Sequence, residues 1–96
     1  MNKKEHLLTI LSEECAEVQP AVCKALRFGS KDFRPGTGST NAQDIEKESI
    51  EAMAVRDMLR ELGVITQPGD SKKIYDDKRE RVEKYLELSK QNGTLT

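Results

Sequence analysis

Apolar residues recur at helical spacing in three stretches of the chain, and in no stretch do they alternate as in a half-buried strand. In the first, Leu7, Leu8, Ile10, Leu11, Cys15, Val18, Val22, Ala25 and Leu26 predict a helix from about Lys3 to Phe28. In the second, Ile45, Ala52, Val55, Met58, Leu59 and Leu62 predict a helix that opens at Thr40 or Asn41, either of which can cap it, and ends at Gly63. In the third, Ile74, Tyr75, Val82, Tyr85, Leu86 and Leu88 predict a helix capped by Asp70 or Ser71 and running to about Gln91, with Gly93 beyond it. Pro20 falls inside the first pattern, where it removes one internal hydrogen bond and predicts a kink. Residues 29–40, with three glycines, a proline and several hydroxyl side chains, predict a loop that serves as a mobile cover or a connector. Val64 to Gly69 reads as a turn containing Pro68, and residues 92–96 as a loose tail. The expected fold class is all-α, with three main helices in a single domain spanning residues 1–96.

A helical wheel separates the carboxylates that belong on a solvated face from those that do not. With Leu7 at zero and about 100° per residue, Glu14 falls at about 340°, inside the apolar stripe, and Glu17 at about 280°, on its edge. Glu13 falls at about 240°, on the polar side. With Ile45 at zero, Glu48 sits at about 300°, in the middle of the second stripe, and Glu51 at about 240°, between Met58 and Leu62. Asp57 points away at about 120° and reads as solvated. Asp44 lies near Glu48 on the wheel, but it is in the first turn, where the helix dipole favours an acid. Each of the pairs Glu14/Glu17 and Glu48/Glu51 is spaced i, i+3, so its members are neighbours on the helix surface. Carboxylates crowded on apolar faces repel one another and resist burial. A divalent cation relieves both, and an all-oxygen ligand set suits Mg²⁺ or Mn²⁺ rather than zinc. A ferritin-like di-iron site would need Glu-x-x-His twice, and His6 is the only histidine. On the third helix Lys78 falls among Ile74, Val82 and Tyr85. It either snorkels to the rim or delivers an ammonium to a phosphate or an acidic cluster.

Composition narrows the classes. Hydrophobic residues are 35% and charged residues 34% of 96, with 4% aromatic and no Trp. That is a thin core for a monomer, and a second copy would complete a four-helix core that three helices build poorly. Sixteen basic and seventeen acidic side chains nearly cancel, so no general nucleic-acid surface is implied. No run of 18 apolar residues exists, so no membrane partner is expected. Cys15 and Cys23 are about 12 Å apart along one helix. They cannot pair within it and read as reduced thiols of a cytoplasmic protein. The 29–40 loop lacks the Gly-Lys-Ser/Thr ending of a nucleotide P-loop.

Glu13-Glu14-Cys15-Ala16-Glu17 resembles the Glu-Glu-x-x-Glu element of the MazG-like, all-α nucleoside triphosphate pyrophosphohydrolases. Glu48-Ser49-Ile50-Glu51 sits where that family has Glu-x-x-Asp, so its last carboxylate reaches one methylene further. Lys24-Ala25-Leu26-Arg27-Phe28-Gly29 resembles the close of the first helix in phage-type members, and Thr40-Asn41-Ala42 the opening of the second. Lys78, the Val82 to Leu86 stretch and Gly93 resemble the last helix, so the likeness covers nearly the whole chain. The resemblance implies Mg²⁺-dependent hydrolysis of nucleoside or deoxynucleoside triphosphates to the monophosphate and pyrophosphate; the thin core adds the expectation of a homodimer or homotetramer. The resemblance also implies Glu14, Glu17, Glu48 and Glu51 as metal ligands. Glu17, at the stripe edge, is the choice for the carboxylate that takes the water's proton. Lys24, Arg27 and Lys78 are the candidates to hold phosphates. The alternative is a catalytically weak or inactive helical oligomer that binds nucleotide or a protein partner.

Overall fold

A computed structural model of the 96-residue chain describes residues 1–33, 36 and 38–96. The loop expectation for Arg34, Pro35 and Thr37 lies outside the described residues. Three helices follow one another: α1, Lys3–Phe28; α2, Asn41–Glu61; and α3, Ser71–Gln91. Among the described residues there is no strand, only an isolated antiparallel bridge between Phe33 and Thr40. The chain divides into two units, Met1–Thr66 and Gln67–Thr96.

Local chemistry sets the helix ends. Asn2 caps α1 and Thr40 caps α2, each in a reciprocal box with Glu5 or Gln43 three residues on. Of the two caps expected for α2, Thr40 is therefore the one used. At the end of α2, Val64 N–H donates to the Leu59 carbonyl and Gly63 N–H to the Arg60 carbonyl. This is a Schellman arrangement, and it requires the positive φ of 72° that Gly63 adopts. The same pattern closes α3, where Thr94 N–H reaches the Ser89 carbonyl and Gly93 has φ of 79°. The α3 start differs from expectation. Asp70 stands at the cap position but its side chain makes no capping bond, because its backbone is not in the extended conformation a cap uses. α1 continues through Pro20. The Pro20 nitrogen has no hydrogen to offer the Ala16 carbonyl, and Ala16 is exposed, so water can satisfy that oxygen.

In the first unit α1 and α2 pack as an antiparallel hairpin. Its closed end is tied by three bonds: Asn41 Nδ2 to the Gly29 carbonyl at 2.9 Å, Asn41 N–H to the Asp32 carbonyl at 2.8 Å, and Ala42 N–H to the Ser30 carbonyl at 2.9 Å. Asn41 is buried at 4% exposure. The buried hydrophobic residues are Leu7, Ala21 and Leu59, the last completely enclosed.

The inward face of α1 is narrower than the predicted stripe and rotated from its mean. Leu7 and Ala21 are buried and Leu11, Glu14, Val18 and Ala25 half-buried, while Leu8, Cys15, Val22 and Leu26 are exposed. The inward residues repeat at alternating steps of four and three, the seam of a two-helix contact. The displaced set lies at about 60–100° on the wheel, against about 320–40° for the seam. A single partner helix covers only one of those arcs. On α2 the corresponding seam is Ile45, Glu48, Ala52, Val55, Leu59 and Leu62, and Met58 lies outside it, exposed. No residue of α3 is buried, so its predicted stripe of Ile74, Tyr75, Val82, Tyr85, Leu86 and Leu88 is exposed. Two i, i+4 pairs brace α3, Lys72–Asp76 at 2.7 Å and Lys73–Asp77 at 2.6 Å.

Candidate metal centre

Both glutamate pairs lie where the hairpin brings helix against helix. Glu14 and Glu48 occupy seam positions of α1 and α2; Glu17 and Glu51 are their i, i+3 neighbours on the rim. Because the helices run antiparallel, pair meets pair, and each of the four residues offers a carboxylate oxygen within 4.8 Å of the other three. Glu14, Glu48 and Glu51 are half-buried and Glu17 is exposed. Glu13, one residue before the seam position, is exposed, as its wheel angle requires.

Among the described residues the four carboxylates are poorly compensated. Oε2 of Glu14 and Oε2 of Glu48 are shielded from solvent and accept no hydrogen bond. Lys47 Nζ lies 3.6 Å from Glu51 Oε1, with both side chains about half exposed. Among the described residues no ion pair engages Glu14, Glu17 or Glu48. Two carboxylates 4.8 Å apart repel by about 1 kcal/mol in water and about 3 kcal/mol at an effective dielectric constant of 20. The residues fit a hard divalent cation on two counts. The donors are all oxygens, and Glu14 and Glu48 each have one carboxylate oxygen buried without a partner.

A cavity of about 150 Å³ adjoins the cluster, lined by Glu17, Pro20, Ala21, Lys24, Asp44 and Glu48. Asp44, read from the sequence as a first-turn acid, has more contacts than that reading required. It is in the first turn of α2 as expected, but it is also buried, at 7% exposure, accepts a 2.8 Å bond from Ser39 Oγ, and faces the same cavity as Glu17 and Glu48. Its i, i+4 spacing to Glu48 was the available signal. Asp57, read as solvated, is partly exposed and engages Arg56 at 3.2 Å and Arg60 at 3.9 Å.

The candidate phosphate ligands are distributed unevenly. Lys24 lines the cavity beside Glu17 and Glu48. Arg27, one turn on, is exposed and holds its guanidinium 4.9 Å from the centre of the Phe28 ring. Lys78 is exposed on α3, in the other unit. The start of α2 does not substitute for them, although helix N-termini often bind anions. Its first N–H groups are already used: those of Asn41 and Ala42 by the Asp32 and Ser30 carbonyls, that of Gln43 by Thr40 Oγ1, and that of Asp44 by the Thr40 carbonyl. Any phosphate held here is held by cationic side chains or by a cation. No family model, curated protein or solved structure matches this chain.

Proposed function

We propose that the chain is a Mg²⁺-dependent pyrophosphohydrolase of nucleoside or deoxynucleoside triphosphates, with Mn²⁺ as an alternative cation, acting in the cytoplasm. The observation that carries this reading is the convergence of Glu14, Glu17, Glu48 and Glu51 within 4.8 Å, with two of their oxygens buried and unpartnered. The resemblance of the two acidic elements to the MazG-like family supplies the reaction. Bound Mg²⁺ would neutralise phosphate charge and acidify water. Glu14 and Glu48, fixed in the seam, would hold the cation, with Glu51 completing the set from the rim. Glu17 is the most exposed of the four and lines the cavity with Lys24, which supports choosing it as the carboxylate that would take a proton from water there. Hydrolysis breaks the α–β phosphoanhydride bond, and the water oxygen ends on phosphorus. Lys24 supplies a positive charge on the same wall, and Arg27 and Lys78 are the further phosphate ligands in this reading.

The working form is a homodimer or homotetramer in which a second copy completes a four-helix core. The exposed apolar residues of α1 and α3 support this, because each set is the amphipathic face of a helix without cover. Neither nucleic acid nor membrane is a partner in this reading. No helix among the described residues is long and apolar enough to cross a membrane. The test is pyrophosphate release from a panel of common nucleotides at micromolar enzyme, with and without Mg²⁺, for the wild type and Glu48→Gln. Turnover that needs both Mg²⁺ and Glu48 is expected. If no nucleotide is turned over, the chain is instead a helical oligomer that binds nucleotide or a protein without hydrolysis.

A further inference from the structure

We propose that Phe28 is the base-stacking residue of the nucleotide site: the nucleobase rests on its ring, and Lys24, one turn before it, reaches the phosphates. The inference rests on the proposed triphosphate site and adds to it the place and the chemistry of base recognition. The cavity beside the glutamates measures about 150 Å³, whereas pockets for drug-sized ligands run to about 300–1,000 Å³. It therefore takes one part of a nucleoside triphosphate, and the remainder lies on the surface of the hairpin. The order of side chains along α1 says in which direction. With Leu7 at zero on the wheel, Glu17 falls at about 280°, Lys24 at about 260° and Phe28 at about 300°. The three share one flank of the seam, opposite the flank that carries the exposed Leu8, Cys15, Val22 and Leu26.

Along that flank the chemistry changes in a fixed order: carboxylate at Glu17, ammonium at Lys24, aromatic ring at Phe28. The ring comes about 6 Å of helix rise after Lys24 and about 16 Å after Glu17. A Mg²⁺-bound nucleoside triphosphate presents cation, phosphates and base in the same order. The opposite direction leads to Glu13, whose charge repels a phosphate chain. The unit that holds the cavity has two aromatic side chains, Phe28 and Phe33, both exposed. Phe33 belongs to the 29–40 loop, whereas Phe28 is the last residue of α1, so the helix fixes its position relative to Lys24. Arg27 holds its guanidinium 4.9 Å from the centre of the Phe28 ring, yet Phe28 remains 56% exposed. A ring backed by a cation and open to solvent suits the flat face of any base. Its side chain offers no hydrogen bond, so it accepts every base and favours purines for their larger overlap.

The experiment is calorimetric titration of the full chain in Mg²⁺ with the α,β-methylene triphosphates of adenosine and cytidine, which cannot be cut at the α–β bond. Inorganic tripolyphosphate is the probe without a base, and pyrophosphate release from ordinary nucleotides is measured on the same wild-type protein. Phe28→Ala and Phe28→Leu should each weaken both nucleotide analogues about 5- to 100-fold, the value of one base–aromatic stack, and leave tripolyphosphate unmoved. Phe28→Tyr, which keeps a ring, and Phe33→Ala should bind like the wild type. The adenosine analogue should bind the wild type more tightly than the cytidine analogue, and Phe28→Ala should narrow that gap; a gap left intact counts against the proposal. Unchanged nucleotide affinity in Phe28→Ala overturns it. So does a Leu variant as tight as the wild type, since bulk rather than a ring would then be the requirement, and so does an equal loss of tripolyphosphate, which would tie Phe28 to the phosphates or the fold. A loss that follows Phe33→Ala instead overturns it as well. Affinity that depends on Phe28 in a chain that hydrolyses no nucleotide leaves the stacking residue standing and removes the enzyme reading. Hydrolysis with an affinity indifferent to Phe28 does the reverse, and a wild type that binds neither analogue overturns both.

Discussion

Replacing Asn41 tests whether the closed end of the hairpin is held by a donor or merely filled. Its amide sits at 4% exposure and donates to the Gly29 carbonyl at 2.9 Å. That carbonyl also accepts from Asp32 N–H at a longer 3.3 Å, so Asn41→Ala does not orphan it. The alanine variant should therefore lose roughly one neutral hydrogen bond and some packing, about 1–2 kcal/mol. Asn41→Asp keeps the shape but turns an acceptor, and a charge, toward the Gly29 carbonyl. That costs the bond plus the desolvation of an unpaired buried carboxylate, about 3 kcal/mol or more. One term opposes it: residue 41 begins α2, where a negative charge recovers about 0.3–1 kcal/mol from the helix dipole. The penalty is larger than the recovery, so the isosteric Asp should be the worse substitution. In thermal melts Ala should lower the midpoint by about 5–15 °C and Asp by clearly more, at about 4–8 °C per kcal/mol. An Asp variant as stable as the Ala variant, or more so, would mean that the amide donor does not hold the loop base. The same melts repeated in Mg²⁺ would show whether loosening residue 41 also loosens the glutamate cluster two turns along α2.

Two further outcomes follow from the packing and the cavity. Leu59→Ala should cost about 2–5 kcal/mol in a urea or thermal titration, because Leu59 is fully enclosed, whereas Leu26→Ala, at a position 81% exposed, should stay within about 0.5 kcal/mol. Under the proposed function, Lys24→Ala should raise KM about 10- to 100-fold in the pyrophosphate assay, the value of one charge-assisted contact, while kcat falls much less. An unchanged KM would take Lys24 out of the binding site.

The three helices were legible because their signals are local. Asn2 and Thr40 at the starts, Gly63 and Gly93 just past the ends, and the glycine-rich 29–40 stretch act within a turn of their own positions. The convergence of the four glutamates was legible for a related reason. Two i, i+3 pairs on apolar arcs meet when those arcs face each other at the same height, and the antiparallel hairpin brings them there. What sequence blurred was the width of the arcs. Leu8, Cys15, Val22 and Leu26 are as apolar as the seam residues, and periodicity alone assigns both sets to one stripe. Only the placement of α2 divides them. Asp44 is the first-turn acid that the sequence suggested, and the structure adds its burial and the cavity it faces, which the helix start alone does not report.

The weight of the seam glutamates lies in what they displace. A solvated acidic pair on a helix is ordinary and nearly free of consequence. Glu14 and Glu48 are different because a leucine at either half-buried position would add part of the about 1.5–3 kcal/mol that full burial is worth, and a charge there adds repulsion instead. Lys47 does not offset that repulsion: its 3.6 Å contact reaches Glu51 on the rim, half exposed and subject to screening by salt. Lys24 lines the cavity with Glu17 and Glu48 but forms no ion pair with either. With only Leu7, Ala21 and Leu59 as buried hydrophobic side chains among the described residues, two charges in the seam weigh heavily. Under the proposed function the two carboxylates are there to hold a cation, and Glu14→Gln/Glu48→Gln separates that from packing, read as the Mg²⁺ dependence of the thermal midpoint. If the seam were only structural, removing both charges would leave the Mg²⁺ response as it was, because there would be none to lose.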